Sequence, residues 1–391
     1  MPNNHPDFFS ESFNQNPYPI FENLRDNEPI YRMTMPDGQT GWIISRYEDA
    51  VAALKEKRLI KDPEKVFGHD FQGPKNILMS DPPDHERLRK LVQKAFTPRM
   101  IEGLRGRIQE ITDELLDAVQ DQGEMDLIDA FAFPLPIIVI CEMLGVPSED
   151  RKQFRTWSNV LVESPNNPDP SQQAETYSEA FIGYLMELVA KRRNDPQDDL
   201  ISKLIQVEEE GEKLTEEELY SLVMVLIIAG HETTVNLIGN GVLALLEHPA
   251  EMKKLKDEPA LIPSAIEEIL RYNGPVEVSS DRWAAETFEF RGKMIQKGDL
   301  VLVALDSADR DPRQFEDSDQ FDITREANKH IAFGKGIHFC LGAPLARLEG
   351  EIAISTLLRR MPELRLKESA ASLKWRPGLL LRGLTALPVV F

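Results

Sequence analysis

The sequence has few cysteines: only Cys141 and Cys340 occur among its 391 residues. Two thiols cannot form a disulfide framework, so each needs its own explanation. Low cysteine content is typical of a reducing compartment, and the first residues lack the basic start and apolar run of a signal peptide. We therefore expect a cytoplasmic protein.

Long hydrophobic runs and an excess of positive charge are also missing. The longest apolar stretches, residues 222–229 and the proline-interrupted 131–140, fall short of the roughly 20 residues that span a bilayer, so no membrane anchor is predicted. The chain has 45 Lys and Arg against 66 Asp and Glu, a formal net charge of −21. Such a chain repels phosphate groups, and we expect no nucleic-acid binding.

The remaining composition is that of a globular protein, with 41% hydrophobic and 28% charged residues. The length allows two or three domains, but no linker-like segment divides the chain and no repeat of 20 to 50 residues is visible. We therefore expect one domain over residues 1–391, with a flexible lead-in over residues 1–15.

Helical periodicity dominates the chain, and strand-like segments are confined to residues 29–45 and 276–305. This pattern predicts a mainly α fold with small β-sheets, an α+β architecture. The predicted helices cover residues 84–96, 100–120, 127–144, 171–193, 215–247, 259–272 and 343–360.

Cys340 lies in the segment FGKGIHFCLGAPLAR, residues 333–347, just before a predicted amphipathic helix. The positive end of a helix dipole and its unpaired amides favour a thiolate, the form that binds a metal or attacks an electrophile. The glycines let the backbone lie against a flat ligand, and His338 can donate to an anion at its edge. Cys141, by contrast, is flanked by apolar residues and is predicted to fill space in the core.

A long helix is predicted after Thr215, where a T-x-x-E capping box marks its start. At about 1.5 Å per residue it is about 50 Å long and must cross the molecule. Its apolar run is followed by the polar segment GHETT, residues 230–234. A carboxylate and two hydroxyls in a buried helix indicate a function, and the hydroxyls can bond back to the backbone and open a groove.

Two further segments carry charged pairs at helical spacing. His85 and Arg89, in DPPDHERLRK, share one helix face, which could bind carboxylates or could simply be a solvated basic face. Glu268 and Arg271, in IEEILRY, lie three residues apart and can form an ion pair.

Together these segments resemble those of the cytochrome P450 superfamily. Residues 333–342 match its haem-ligand signature, in which Phe, Gly, His, Cys and Gly stand at fixed spacing. The phrases SADRDP and FDITR, residues 307–312 and 321–325, also follow the family, so the resemblance runs from about residue 16 to the C-terminus. It implies a single P450-type fold with haem b between the long central helix and the helix after the Cys340 loop.

The resemblance also implies residue roles. Cys340 is the axial ligand of the haem iron, and Thr233 with Glu232 delivers protons to activated oxygen. Glu268 and Arg271 form a structural ion pair rather than a catalytic one. The residues expected to neutralise the haem propionates are His85, Arg89, Arg282 and His338.

The substrate pocket is assigned from family topology. It involves the loop over residues 68–80, the region 164–171, the central helix and the strand 276–279, all apolar or mobile. A medium-sized apolar molecule such as a steroid, fatty acid or polyketide is the expected substrate class, and the chain resembles soluble bacterial members that tailor macrolides. The named pocket residues are Ile77, Val225, Ala229 and Val276.

The implied activity is that of a haem-thiolate mono-oxygenase, which inserts one oxygen atom from O2 into its substrate by hydroxylation or epoxidation. No dinucleotide fingerprint, Walker loop or iron-sulfur cysteine set is present, so NAD(P)H would act only through a separate ferredoxin or flavodoxin and its reductase. A monomer is expected. The candidate cations for docking an acidic carrier are Arg87, Lys94, Arg99, Lys335 and Arg347.

Three alternatives remain. A peroxide-driven peroxygenase or a haem-thiolate isomerase commonly lacks the acid and alcohol pair that Glu232 and Thr233 provide here. A haem-based sensor or carrier would not need that pair. A helical binding protein without haem would require Cys340 to be an ordinary core thiol.

Overall fold

The computed structural model describes residues 6–35, 38–68, 76–150, 153, 156–157, 172–209 and 214–391. The connection over 164–171, which the sequence predicts to be mobile, lies outside these residues. So do residues 69–75 of the predicted pocket loop 68–80.

Helices form most of the fold. Shorter 3₁₀ or π-helical turns cover Gln120–Gln122, Ile128–Ala132, Ser148–Asp150, Pro259–Leu261, Gly336–His338 and Ala370–Ser372. The α-helices are α1 Glu11–Gln15, α2 Tyr18–Asn27, α3 Tyr47–Lys55, α4 Glu64–Phe67, α5 Asp84–Ala95, α6 Pro98–Gly103, α7 Arg105–Asp117, α8 Pro134–Leu144, α9 Gln172–Asn194, α10 Leu200–Glu209, α11 Glu216–Glu247, α12 Pro249–Asp257, α13 Ile262–Tyr272, α14 Leu305–Ala308 and α15 Ala343–Arg360.

In the described part of the chain three small sheets accompany the helices, as the mainly α prediction expected. The strands are β1 Ile30–Thr34, β2 Thr40–Ile44, β3 Leu59–Ile60, β4 Glu124–Asp126, β5 Arg282–Ala284, β6 Phe288–Phe290, β7 Lys293–Ile295, β8 Leu300–Val303, β9 Arg365–Leu366 and β10 Pro388–Val390. The largest sheet has the order β1-β2-β8-β5-β3, in which only β2 and β8 are parallel; the second is β4-β10-β9 and the third is the β6-β7 hairpin.

Helix α11 is the axis of the molecule, and the predicted capping box is present at its start. The Thr215 hydroxyl accepts from the Glu218 amide, while the Glu218 carboxylate accepts from the Thr215 amide. The helix packs against α8, α13 and α15. At Gly241 a Cβ atom would lie 2.9 Å from Ile269, so the absence of a side chain lets α13 approach closely.

Helix α11 is also long and apolar enough to cross a bilayer, by length and composition only. Of its most hydrophobic stretch, 61% is buried within the protein. Its apolar surface is therefore largely used in the core, where it meets the side chains of neighbouring helices.

Two predicted helices are interrupted in the structure. Residues 100–120 form α6 and α7, separated at Leu104. Residues 127–144 begin as a π-helical turn over Ile128–Ala132 and continue as α8. Pro134 and Pro136 have no amide hydrogen to donate to the preceding turn, which explains why one continuous ladder cannot form there.

The N-terminal segment differs from the expected flexible lead-in. From residue 6 onward it is packed: Phe8 and Phe13 are buried, and α1 begins behind a Ser10 cap. Phe13 meets Phe21 of α2 edge-on, with ring centroids 5.5 Å apart. Seven helices are absent from the prediction, because they are single turns or because their apolar faces become clear only against the rest of the fold: α1, α2, α3, α4, α10, α12 and α14.

Candidate functional site

A cavity of about 300 Å³ lies between α11, the loop before α15 and the strand-like segment after Gly274. Thr233 borders it from α11, and Cys340 borders it from the loop. The chain segments that meet here are far apart in sequence. All four residues predicted from the sequence to lie in the substrate pocket line this cavity: Ile77, Val225, Ala229 and Val276.

The Cys340 loop is held by short-range contacts. The Cys340 amide donates to the Phe333 carbonyl at 3.0 Å. Gly334 and Gly336 have φ values of 72° and 77°, a region that favours glycine. A Cβ at Gly336 would also lie 3.0 Å from the Leu54 carbonyl oxygen, so this glycine is needed for conformation and for space.

The environment of the Cys340 thiol contains opposing influences. Burial raises the pKa of this thiol, and this is the largest effect. Amide hydrogen bonds from Gly342 and Ala343, at the start of α15, lower the pKa, as does the charge of Arg89. The predicted thiolate-favouring helix terminus is present, but in the protein alone burial outweighs it. A coordinated metal cation deprotonates such a thiol outright.

The four predicted propionate partners surround one end of the cavity. His85 and His338 are neighbours, with ring centroids 4.2 Å apart, and Arg89 and Arg282 complete the set. Burial lowers the pKa of Arg282 to about 10 and, with help from neighbouring cations, the pKa of His338 to about 2. Cationic side chains thus cluster at this end of the cavity, with few acidic groups to offset their charge.

Lys61 belongs to the same cluster and was not identified from the sequence. Its side chain lines the cavity and donates to the Ser280 carbonyl at 2.9 Å and to the Ser280 hydroxyl. Burial places its pKa well below the usual value. The local sequence LIKDP carries no signal for this role, since only the pairing of β3 with β5 brings Lys61 beside Arg282. We call Lys61, His85, Arg89, Arg282 and His338 the cationic rim.

The cationic rim is chemically suited to an anionic ligand. Both ring nitrogens of His85 and Nε2 of His338 are buried without a hydrogen-bond partner. No hydrogen bond or ion pair joins the side chains of Arg89 or Arg282 to any described residue. Buried donors and cations of this kind need partners. A planar ligand with two carboxylates at one edge and a metal above Cys340 would supply them, so the residues present fit haem.

Helix α11 places only one member of the predicted acid and alcohol pair at the cavity. Thr233 lines it, and its hydroxyl donates to the Ala229 carbonyl at 2.7 Å. Thr234 makes the same type of bond to Gly230 at 3.0 Å, and the helix continues without a break. Glu232 is not among the lining residues: its Oε1 accepts from Nη1 of Arg376 at 3.0 Å.

Glu349 is a cavity-lining acid that the sequence did not reveal. It lies on α15, its side chain is buried, and its Oε2 has no hydrogen-bond partner. Burial raises its pKa to about 8, so the carboxyl group holds a proton near neutral pH. The sequence signal that could have identified Glu349 is a carboxylate within the otherwise apolar face of an amphipathic helix.

The Glu268 and Arg271 pair lies outside the cavity, in the core. Both side chains are fully buried and joined by bonds of 2.7 and 2.8 Å. Within the described residues, no cluster of three or more His, Cys, Asp or Glu side chains could hold a metal ion.

The predicted docking cations are not all free. Arg87 is paired with Glu218, and Arg347 with Glu267 at 2.6 Å while its guanidinium covers the Phe333 ring. Arg99 is exposed and Lys335 half-buried. The charges of Arg87 and Arg347 are thus compensated within the protein.

Comparison with known proteins places these features in one family. The family model for cytochrome P450 matches residues 8–369. The polyketide biosynthesis cytochrome P450 PksS of Bacillus subtilis is 45% identical over 97% of this chain and 96% of its own. Its solved structure superposes with a TM-score of 0.93 at 44% identity and 99% coverage of both chains.

Two further proteins extend the comparison. The 6-deoxyerythronolide B hydroxylase of Saccharopolyspora erythraea is 43% identical over 98% of both chains. The structure of the myxobacterial cytochrome P450 CYP267B1 in complex with myristic acid has a TM-score of 0.93, 46% identity and 99% coverage of both chains. With the Cys340 loop, the cationic rim and these relatives in agreement, the chain belongs to the cytochrome P450 family of mono-oxygenases.

Proposed function

We propose that this cytochrome P450 inserts one oxygen atom from O2 into a medium-sized apolar substrate, using haem b held by Cys340. The observation that carries this proposal is a single cavity lined by the Cys340 thiol, by Thr233 and by the cationic rim. When bound, haem with a thiolate ligand would favour cleavage of the O–O bond.

The cationic rim would hold the carboxylate edge of the haem. Arg89 and Arg282 provide two full positive charges, and His85 and His338 provide ring N–H donors. Charge-assisted hydrogen bonds of this kind are stronger than neutral ones, and they would satisfy groups that are otherwise buried without partners. Lys61 would add a third cation beside Arg282.

Proton supply would involve two side chains of α11. Thr233 faces the cavity and can hold a water molecule or the reacting oxygen by its hydroxyl. Glu232, one residue earlier on α11, would provide protons if its carboxylate turned from Arg376 toward the cavity. Glu349 belongs to α15, on the Cys340 side of the proposed haem, and would not take part in this supply.

The substrate class follows from the walls above Thr233. Ile77, Leu78, Val225 and Val276 present hydrocarbon, so binding would be dominated by apolar contact. The names of relatives support an extended apolar molecule, since they refer to polyketide biosynthesis, 6-deoxyerythronolide B and myristic acid. We propose a polyketide-like or fatty-acid-like substrate, with electrons supplied in the cytoplasm by a ferredoxin or flavodoxin and its reductase.

The absorption spectrum of the reduced, carbon monoxide-bound protein tests the haem-thiolate assignment. We expect the red-shifted band typical of thiolate-ligated haem, and we expect Cys340→Ala to abolish both the band and turnover. Cys141→Ala is the matched control and should leave both unchanged, because Cys141 is buried in the main core. Equal losses in the two variants would mean that the thiols are misassigned.

Thr233→Ala tests the proton role. We expect consumption of NAD(P)H to continue while product falls and peroxide rises, because the hydroxyl at the cavity is lost. Thr112→Ala, on α7, removes a hydroxyl that makes the same type of helix bond, to the Ile108 carbonyl at 2.7 Å, but does not line the cavity, and is the control. An unchanged ratio of product to NAD(P)H in Thr233→Ala would contradict the role.

A further inference from the structure

The acid of the central helix is held by a remote part of the chain. Glu232 is buried, with 8% of its side chain exposed, and its carboxylate is paired with Arg376, whose side chain is 26% exposed. The two residues are 144 positions apart in sequence. An ion pair this shielded is screened less by salt than a surface pair, so it can fix the orientation of the carboxylate.

Arg376 belongs to a hairpin near the C-terminus. The Thr385 amide donates to the Lys374 carbonyl at 2.9 Å, and the Arg376 amide donates to the Gly383 carbonyl at 2.8 Å. We call residues 374–385 the C-terminal hairpin. These bonds hold the backbone on both sides of Arg376, so its position depends on the hairpin as a whole.

The C-terminal hairpin lies along one face of α11. Glu232, Asn236 and Asn240 are spaced by four residues and share that face. The Asn240 side chain donates to the Arg382 carbonyl at 3.0 Å, and a Cβ at Gly383 would lie 2.0 Å from the Asn236 side-chain oxygen. These three polar side chains of α11 therefore face this hairpin.

The tip of the same hairpin reaches the cavity wall. Leu381 pairs with Val276, a lining residue, and the Leu380 carbonyl accepts from the Glu277 amide at 3.0 Å. The hairpin thus connects a wall that a substrate would touch with the partner of the helix acid.

We propose that Arg376 is a positioning residue that holds the Glu232 carboxylate away from the cavity, and that the C-terminal hairpin links this restraint to the wall at Val276. The inference rests on the proposed role of Glu232 in proton supply. In the ion-paired state Thr233 faces the cavity without its acid, and displacement of the hairpin frees Glu232 to turn toward Thr233. Oxygen activation would then depend on how the wall is occupied.

The C–O stretching frequency of carbon monoxide bound to the reduced haem tests this without turnover, because it senses charge in the cavity. In Arg376→Gln we expect a shift, since the released Glu232 carboxylate can approach the cavity. The shift should be absent from the Glu232→Gln/Arg376→Gln double variant and restored to the wild-type value in Arg376→Lys. Lys374→Gln, which removes an exposed cation from the same hairpin, should leave the frequency unchanged.

A shift that persists in the double variant, or no shift in Arg376→Gln, would overturn the proposal. A double-mutant cycle on thermal unfolding of the same purified proteins tests the ion pair independently of haem. The double variant should lose little more stability than either single variant, whereas additive losses would show that the pair does not couple the two segments. Absence of the thiolate band in the wild-type protein would instead reject the proposed function and leave this cycle valid.

Discussion

Two buried groups of charges in this protein differ in how they are compensated. In the first, Glu268 and Arg271 are fully buried and every strong donor has an acceptor: Arg271 also donates to the Ser318 and Gln320 carbonyls at 2.7 and 2.9 Å. In the second, the cationic rim, His85 and Arg282 are nearly as buried, with 2% and 4% exposure. Yet within the described residues the buried ring nitrogens of His85 have no hydrogen-bond partner, and the Arg89 and Arg282 side chains have no ion-pair partner.

The difference separates a structural cluster from a binding cluster. A buried charge without a partner costs free energy, so a protein that keeps several of them at a cavity needs a ligand of opposite charge. A fully paired charge needs nothing further. Three substitutions test whether the two clusters differ in this way.

Truncation of the paired cluster should cost the most. Glu268→Ala leaves the Arg271 guanidinium buried without its anion and also removes the acceptor of the Asp322 amide and the Asn328 side chain. We expect a loss of about 3–5 kcal/mol in the free energy of unfolding, measured by urea denaturation, or failure to accumulate as folded protein. Lys253→Ala, in an exposed pair with Asp257, should cost far less. Similar losses in the two variants would contradict the structural assignment.

Removal of a rim cation should weaken haem binding more than folding. In Arg282→Gln we expect the affinity of the protein for haem to fall by about 10- to 100-fold, the equivalent of one charge-assisted hydrogen bond. The measurement is the transfer of haem to a competing haem-binding protein. Lys61→Met should also lower the affinity for haem, but by less, because the ammonium group of Lys61 already has partners at Ser280. Arg365→Gln, on exposed β9, is the control. A large loss of stability with unchanged haem retention would place Arg282 with the structural cluster instead.

The smallest effect concerns Glu349, the unpaired acid of the cavity. Burial raises its pKa from 4.5 to about 8, so the folded state holds this proton more tightly than the unfolded chain does. Its contribution to stability is complete below about pH 4.5 and is lost as the pH rises through about 8. We expect Glu349→Gln to flatten the decline of the unfolding temperature over this range relative to wild type. Exposed Glu363→Gln should leave the decline unchanged, and an identical slope in Glu349→Gln would refute the assignment.

Local sequence was sufficient for much of the fold and for part of the site. The capping box at Thr215, the glycines around Cys340 and the spacing of Glu268 and Arg271 act within a few residues, and the structure reproduces each of these local features. Where proline changed the local bonding, as at Pro134, the predicted helix was too long. Helices whose apolar faces depend on distant partners, such as α10, were missed.

Electrostatic partners were less predictable than positions. The sequence placed Glu232 beside Thr233, but it could not show that Arg376, on the C-terminal hairpin, captures the carboxylate. Lys61 enters the rim only because β3 pairs with β5, and Glu349 is unpaired only because of what surrounds α15. Contacts of this kind join residues far apart along the chain.

Short motifs were sufficient to identify the family, the thiol proposed to bind haem, the central helix and the buried Glu268–Arg271 pair, because each motif has its own backbone and spacing requirements. Which charges are compensated and which face the cavity became visible only in the folded protein. Burial and pairing depend on the packing of distant segments, and these set the pKa of Glu349, the isolation of the rim cations and the orientation of Glu232.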